Sequence, residues 1–171
     1  HILHAVLRET LGEHIKQAGS LVAPDRLRFD FTHFSQIAPE TLAEIEILVN
    51  RHIQRNVAAE TEEMDAEQAF QSGATALFEE KYGDRVRVVA LADFSKELCG
   101  GTHVAQTGDI GLFKIISESS VAAGVRRIEA LTGAAALEHV QKTGATLHQA
   151  AIRLKDATQN VMDRIDKLLL E

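Results

Sequence analysis

Residues 97–103 read Glu-Leu-Cys-Gly-Gly-Thr-His and hold the only cysteine of the chain. Cys99 and His103 stand four residues apart, with Gly100, Gly101 and Thr102 between them. The first residue is also a histidine, His1, and His4 follows one helical turn later. A thiolate and imidazoles from two distant segments are the donors a tetrahedral Zn²⁺ site needs, and this set favours zinc over hard cations. If the two segments meet, the start of the chain is pinned to a loop almost a hundred residues downstream. Every element between them must then fold around that contact. The two glycines give the backbone freedom to turn both side chains toward one ion. Spacing alone leaves a second reading open, in which Cys99 is a small buried residue and His103 lies on a surface loop.

Cys99, His103 and His1 make three ligands. A fourth histidine is expected four residues before His1, on the same helix face, outside this chain. Three ligands with an open position suit a hydrolytic centre, whereas four make a structural one, and spacing does not decide between them. His4 sits beside an apolar stripe, and His14, His33, His52, His139 and His148 have no partner at ligand spacing. There is no Ser-His-Asp set, P-loop or dinucleotide fingerprint. Gly108-Asp109-Ile110-Gly111 is too short to cradle phosphate and reads as a turn.

The chain has 171 residues, of which 45% are apolar, so a substantial core is available. No apolar run approaches the ~20 residues of a membrane span. The sequence opens without Met inside an apolar-periodic stretch, as expected of a piece of a longer protein. A single cysteine excludes an internal disulfide framework and fits the cytoplasm. The net charge of −7 argues against attraction of nucleic acid to the whole surface. It leaves room for small basic clusters at Arg26/Arg28, Arg51/Arg55 and Arg126/Arg127.

Apolar periodicity predicts helices over residues 1–16 and 39–56, with short helices over 65–70 and 74–81. Strict alternation in Arg26-Leu27-Arg28-Phe29-Asp30-Phe31 predicts a strand with one wet face, paired to 20–22 around Pro24-Asp25. Further strands are expected over 57–64, 86–91, 111–118 and 125–131, with a glycine-containing loop around Cys99. From residue 134 onward, Leu137, Val140, Leu147, Ala151, Leu154, Val161, Ile165 and Leu168 follow a seven-residue repeat, which predicts one long helix.

Three stretches together resemble the editing domain of bacterial alanyl-tRNA synthetases. They are residues 1–22 (with G-E-H-I-K-Q-A-G-S-L-V), 25–33 (D-R-L-R-F-D-F-T-H) and 97–133 (with E-L-C-G-G-T-H, T-G-D-I-G-L-F-K-I and A-A-G-V-R-R-I-E-A-L-T-G). A related module occurs in threonyl-tRNA synthetases and in free-standing alanyl editing proteins. The resemblance implies an α+β fold: a two-layer core of mixed or antiparallel sheet with helices over residues 1–133. A long helix over 134–171 would then lead to a further C-terminal domain.

The resemblance also implies a site. The family pattern is H-x-x-x-H plus C-x-x-x-H, which makes His1, Cys99 and His103 zinc ligands and His4 a non-ligand. Because the other histidine of the first pair precedes His1, weak zinc occupancy and reduced activity are expected of this chain. Gln17 matches a glutamine that helps discriminate and hydrolyse wrongly charged tRNA, and Cys99 is assigned with it to the catalytic centre. Gly100, Gly101, Thr102, Arg126 and Arg127 are assigned to the tRNA end. The implied activity is hydrolysis of Ser-tRNA(Ala) and Gly-tRNA(Ala). ATP and Mg²⁺ belong only to the charging domain, which this chain lacks. The implied partners are the acceptor end of tRNA(Ala), the rest of the synthetase and, through the helix, a second copy. The rival readings are a free-standing editing protein and a non-catalytic zinc-stabilised module.

Overall fold

The computed structural model describes residues 1–76 and 83–170. Helix α1 (Ile2–Leu11) buries Ile2, Leu3, Val6 and Leu7 on one face. It stops earlier than its periodicity suggests because Gly12 takes φ 116°, a conformation open to glycine and closed to a continuing helix. Strands β1 (Gln17–Ala23) and β2 (Arg26–Thr32) form the expected hairpin. Phe29 and Phe31 of β2 point into the core. Helix α2 (Pro39–Gln54) starts on a proline that needs no N–H partner there, and it buries Ile45, Val49 and Ile53.

Strands β6 (Phe113–Ala122) and β7 (Val125–Thr132) form a second hairpin, and β7 pairs with β2. The result is an antiparallel sheet of four strands in the order β1-β2-β7-β6. The inward Phe29, Phe31, Phe113, Ile128 and Ala130 of this sheet share one core with the apolar stripes of α1 and α2. At the β6–β7 turn, Gly124 has φ 71°, a conformation that favours glycine, and it lies against the exposed Phe34 ring.

A second antiparallel sheet has the order β3-β4-β5. Its strands are β3 (Ala59–Asp65), β4 (Arg85–Leu91) and β5 (Ser95–Leu98). With helix α3 (Ala66–Gln71) it encloses a small core of Ala69, Ala74, Val86, Val88 and Leu98. Strand β5 has no counterpart in the sequence reading. Of the helix expected over 74–81, residues 74–76 are not helical, and Thr75 instead bridges to Glu97. Residues 77–82 lie outside the described residues.

The C-terminal helix begins at Gly133 and differs from expectation in being divided. Helix α4 (Gly133–Leu154) ends where Lys155 turns left-handed at φ 54°, ψ 42°. The Asp156 carboxylate then accepts the Ala157 N–H at 2.7 Å and the Asn160 side-chain amide at 2.8 Å, so the chain restarts as a separate helix α5 (Val161–Leu169). Ala151 and Val161 are buried, while Leu137, Val140, Leu147 and Leu168 of the heptad stripe stay exposed. No helix among the described residues is long and apolar enough to cross a membrane.

Candidate metal centre

The two distant segments meet. His1, which caps the start of α1, faces the loop that follows β5. The Nε2 atoms of His1 and His103 are 3.0 Å apart. One donor atom each from His1, Cys99 and His103 lies within 4.8 Å of the others, and no second set of three such donors converges among the described residues. Zinc bound at ~2.0–2.1 Å to nitrogen and ~2.3 Å to sulfur holds tetrahedral ligand atoms about 3.3–3.6 Å apart. Two nitrogens and one sulfur are a donor set that zinc takes, and their separations bracket that spacing, from the 3.0 Å nitrogen pair up to the 4.8 Å limit.

Glu97 completes the arrangement and was not singled out from sequence. Its carboxylate is buried, pairs with Nδ1 of His1, and accepts Nδ1 of His4 at 2.8 Å. With its Nδ1 proton held by Glu97, His1 presents Nε2 toward His103 and the thiol. This is the orienting contact that metal-bound histidines generally have. Burial opposes ionisation of Glu97, but the hydrogen bonds from His1 and His4 outweigh it and bring its pKa down to about 2. Burial likewise works to lower the His1 pKa, and Glu97 outweighs it, so the net shift is upward. The His103 pKa is lowered, first by burial and then by the positive charges of His1 and Arg87, which favours the neutral imidazole that ligates metals. Nδ1 of His103 is buried without a partner. The usable sequence signal for Glu97 was a carboxylate two residues before a ligand cysteine. Within the four-residue strand Ser-Lys-Glu-Leu, spacing alone does not distinguish a buried brace from a solvated glutamate.

Arg87 is the second unforeseen residue. Its backbone carbonyl accepts the Cys99 N–H at 3.0 Å. Its guanidinium donates to the Cys99 carbonyl at 2.9 Å and to the Gly101 carbonyl. The ligand loop is therefore tied to β4 at both ends of its first turn. Neither Gly100 nor Gly101 has a positive φ, so the loop does not need glycine for backbone freedom. At Gly101 a Cβ would make ordinary contacts, 3.5 Å from Cys99 Sγ and 3.9 Å from His103 Cε1, so space does not demand glycine there. At Gly100 nothing lies within 4 Å, and the structure gives no reason for glycine.

The three ligands open into a cavity of about 760 Å³, a size typical of small-molecule sites. Gln17, Gly100, Gly101 and Thr102 line it, as do Ser20, Phe29, Arg85 and Arg87. The Gln17 amide donates to Ser20 Oγ at 3.1 Å, which fixes its direction. Arg126 and Arg127 are not in the cavity wall. Arg126 forms a two-armed pair with the buried carboxylate of Glu118, and Arg127 does the same with Asp30 at 2.7 and 2.8 Å. Both pairs tie strands of the main sheet together, and an RNA phosphate would have to share these guanidiniums with them. The remaining histidines include a pair unforeseen from spacing: His14 Nε2 and His33 Nδ1 are 2.9 Å apart.

The structure is thus an α+β core that brings two histidines and a cysteine to one cavity. Residues 86–129 match the family described as the threonyl and alanyl tRNA synthetase second additional domain. Along its length it is further similar to bacterial alanine–tRNA ligases. It is 59% identical to that of Desulfosudis oleivorans over 171 residues, covering 100% of this chain and 20% of the relative. It is 58% identical to that of Methylococcus capsulatus and 56% identical to that of Stenotrophomonas maltophilia, each over 98% of this chain and 19% of the relative. The chain thus spans about a fifth of the length of the relatives it matches.

Proposed function

We propose that this chain is the editing part of an alanine–tRNA ligase in the cytoplasm, hydrolysing Ser-tRNA(Ala) and Gly-tRNA(Ala) at a zinc site. The observation that carries the reading is the convergence of His1, Cys99 and His103 on a cavity whose wall also holds Gln17. Zinc, when bound, polarises an ester carbonyl and lowers the pKa of a coordinated water. Cys99, His1 and His103 would hold the ion, and Glu97 keeps the His1 ring turned toward that position. The Gln17 amide, directed by Ser20, gives a seryl hydroxyl a polar partner that an alanyl methyl cannot use. That asymmetry matters because a steric difference of one small group is worth only ~1–3 kcal/mol, too little for a charging site to reject serine or glycine unaided. Residues 1–133 form the editing unit in this reading. The exposed stripe on α4 and α5 faces the rest of the synthetase, where ATP-dependent charging takes place.

The test is deacylation of Ser-tRNA(Ala) by this chain and by a version extended upstream through the expected histidine, with zinc measured in both. Hydrolysis that disappears in Cys99→Ala together with the bound zinc supports the reading. Zinc bound at full stoichiometry without any deacylation overturns it in favour of a structural zinc module. Unchanged zinc content in Cys99→Ala removes the ligand assignment.

A further inference from the structure

The pair His14 and His33 is a second place where imidazoles from separate segments meet. His14 lies in the connection between α1 and β1, and His33 directly follows β2. Their facing nitrogens, Nε2 of His14 and Nδ1 of His33, are 2.9 Å apart, with ring centroids 5.2 Å apart. That gap holds a single proton, so one of the two nitrogens always presents a bare lone pair. Nε2 of His33 lies 3.3 Å from the Ser35 hydroxyl, which can accept its proton and leave Nδ1 as the lone-pair atom. The backbones that carry the two rings are tied to each other and to the sheet. Thr32 Oγ1 donates to the His14 carbonyl at 2.6 Å and accepts the Lys16 N–H at 2.9 Å. The Thr32 N–H donates to the Lys16 carbonyl and the His33 N–H to the Gly124 carbonyl, each at 3.0 Å. His14 is exposed and His33 half-buried, and neither lines the cavity beside the metal centre.

We propose that His14 and His33 form a second metal site, a two-imidazole chelate for a late first-row divalent cation of the Ni²⁺, Cu²⁺ and Zn²⁺ group. Imidazole suits those ions, whereas Mg²⁺ and Ca²⁺ require oxygen ligands. Binding moves the shared proton to Nδ1 of His14, and a pivot of the two rings brings both lone pairs to the ion. Donors carried on fixed backbone lose little freedom in that step. Among the described residues no third His, Cys, Asp or Glu joins the pair, so water completes the shell. The ion would clip the α1–β1 connection to the end of β2. Nothing in this proposal depends on the editing reading.

The experiment is equilibrium dialysis of this chain, free of any histidine tag, against rising Ni²⁺, with bound nickel counted by elemental analysis. His14→Ala and His33→Ala should each bind one equivalent fewer than wild type over the range where wild type saturates, because losing the chelate weakens that site at least about tenfold. The double variant Cys99→Ala/His103→Ala should keep the equivalent that those two lose. His148→Ala, which removes an exposed histidine from α4, should match wild type. Should His33→Ala fail to fold, His14→Ala tests the same chelate from a fully exposed position. Nickel binding in His14→Ala equal to wild type overturns the proposal. So does an equal loss in His148→Ala, or disappearance of that equivalent in Cys99→Ala/His103→Ala.

Discussion

Glu97 spends both of its oxygens on imidazoles, one from His1 and one from His4, in a site where burial would otherwise keep a carboxylate neutral. Only His1 of that pair faces the cavity, and His4 is the buried second brace. Glutamine at this position keeps the shape, but one of its two terminal atoms becomes a donor and cannot accept from a histidine N–H. Glu97→Gln is therefore expected to lower zinc affinity by about 10- to 100-fold, the usual cost of losing a partner behind a ligand. Competition against a chelator of known affinity measures it, and an unchanged affinity would leave His1 oriented by something other than Glu97. The convergence of the candidate ligands is legible in sequence as far as Cys99 and His103 have fixed local spacing. Their brace is not, because its meaning depends on what α1 brings to it from 93 residues away.

Among the elements, the two hairpins of the main sheet follow directly from period-two alternation and from turns at Pro24-Asp25 and Ala123-Gly124. Strand β5 escaped because its inward residues, Ser95 and Glu97, are polar and its pairing partner on the other side is a single bridge from Thr75. The break after α4 escaped for a similar reason. Lys155 and Asp156 carry neither glycine nor proline, and the heptad pattern runs through them undisturbed. The outward face of the main sheet was read as wet, and there Arg127 and Asp30 tie β7 to β2. The hydrogen bond from Arg127 holds the Asp30 carboxyl below its ordinary 3.8, with burial pulling weakly the other way. A folded pKa below the unfolded one means the unfolded chain takes up the proton more readily. The pair's contribution is thus present above about pH 4 and lost as pH falls through the folded value. Asp30→Asn should melt below wild type near pH 7, and the gap should narrow as pH is lowered below about 4, as followed by thermal unfolding across that range. A gap of constant size would mean that Asp30 acts through shape rather than charge.

At the scale of the molecule, the main core and the candidate metal centre share one helix. The stripe of α1 that fills the core also carries His1 and His4 to β5. The C-terminal segment stands apart from this arrangement. Helix α4 joins the core through its first turn, where Ala136 is buried and the Gly133 N–H donates to the Leu112 carbonyl at 2.8 Å. Beyond that turn its buried side chain is Ala151, and α5 contributes Val161. Removal of residues 155–171 should therefore cost little. With a stability change under about 1 kcal/mol, a chain of this length shifts its midpoint by roughly 2–4 °C. Truncation after Leu154 is expected to stay within that range in calorimetry and to leave zinc content unchanged. A fall of about 10 °C or more, well beyond that scale, would show that α5 belongs to the core and that the unit does not end near residue 133.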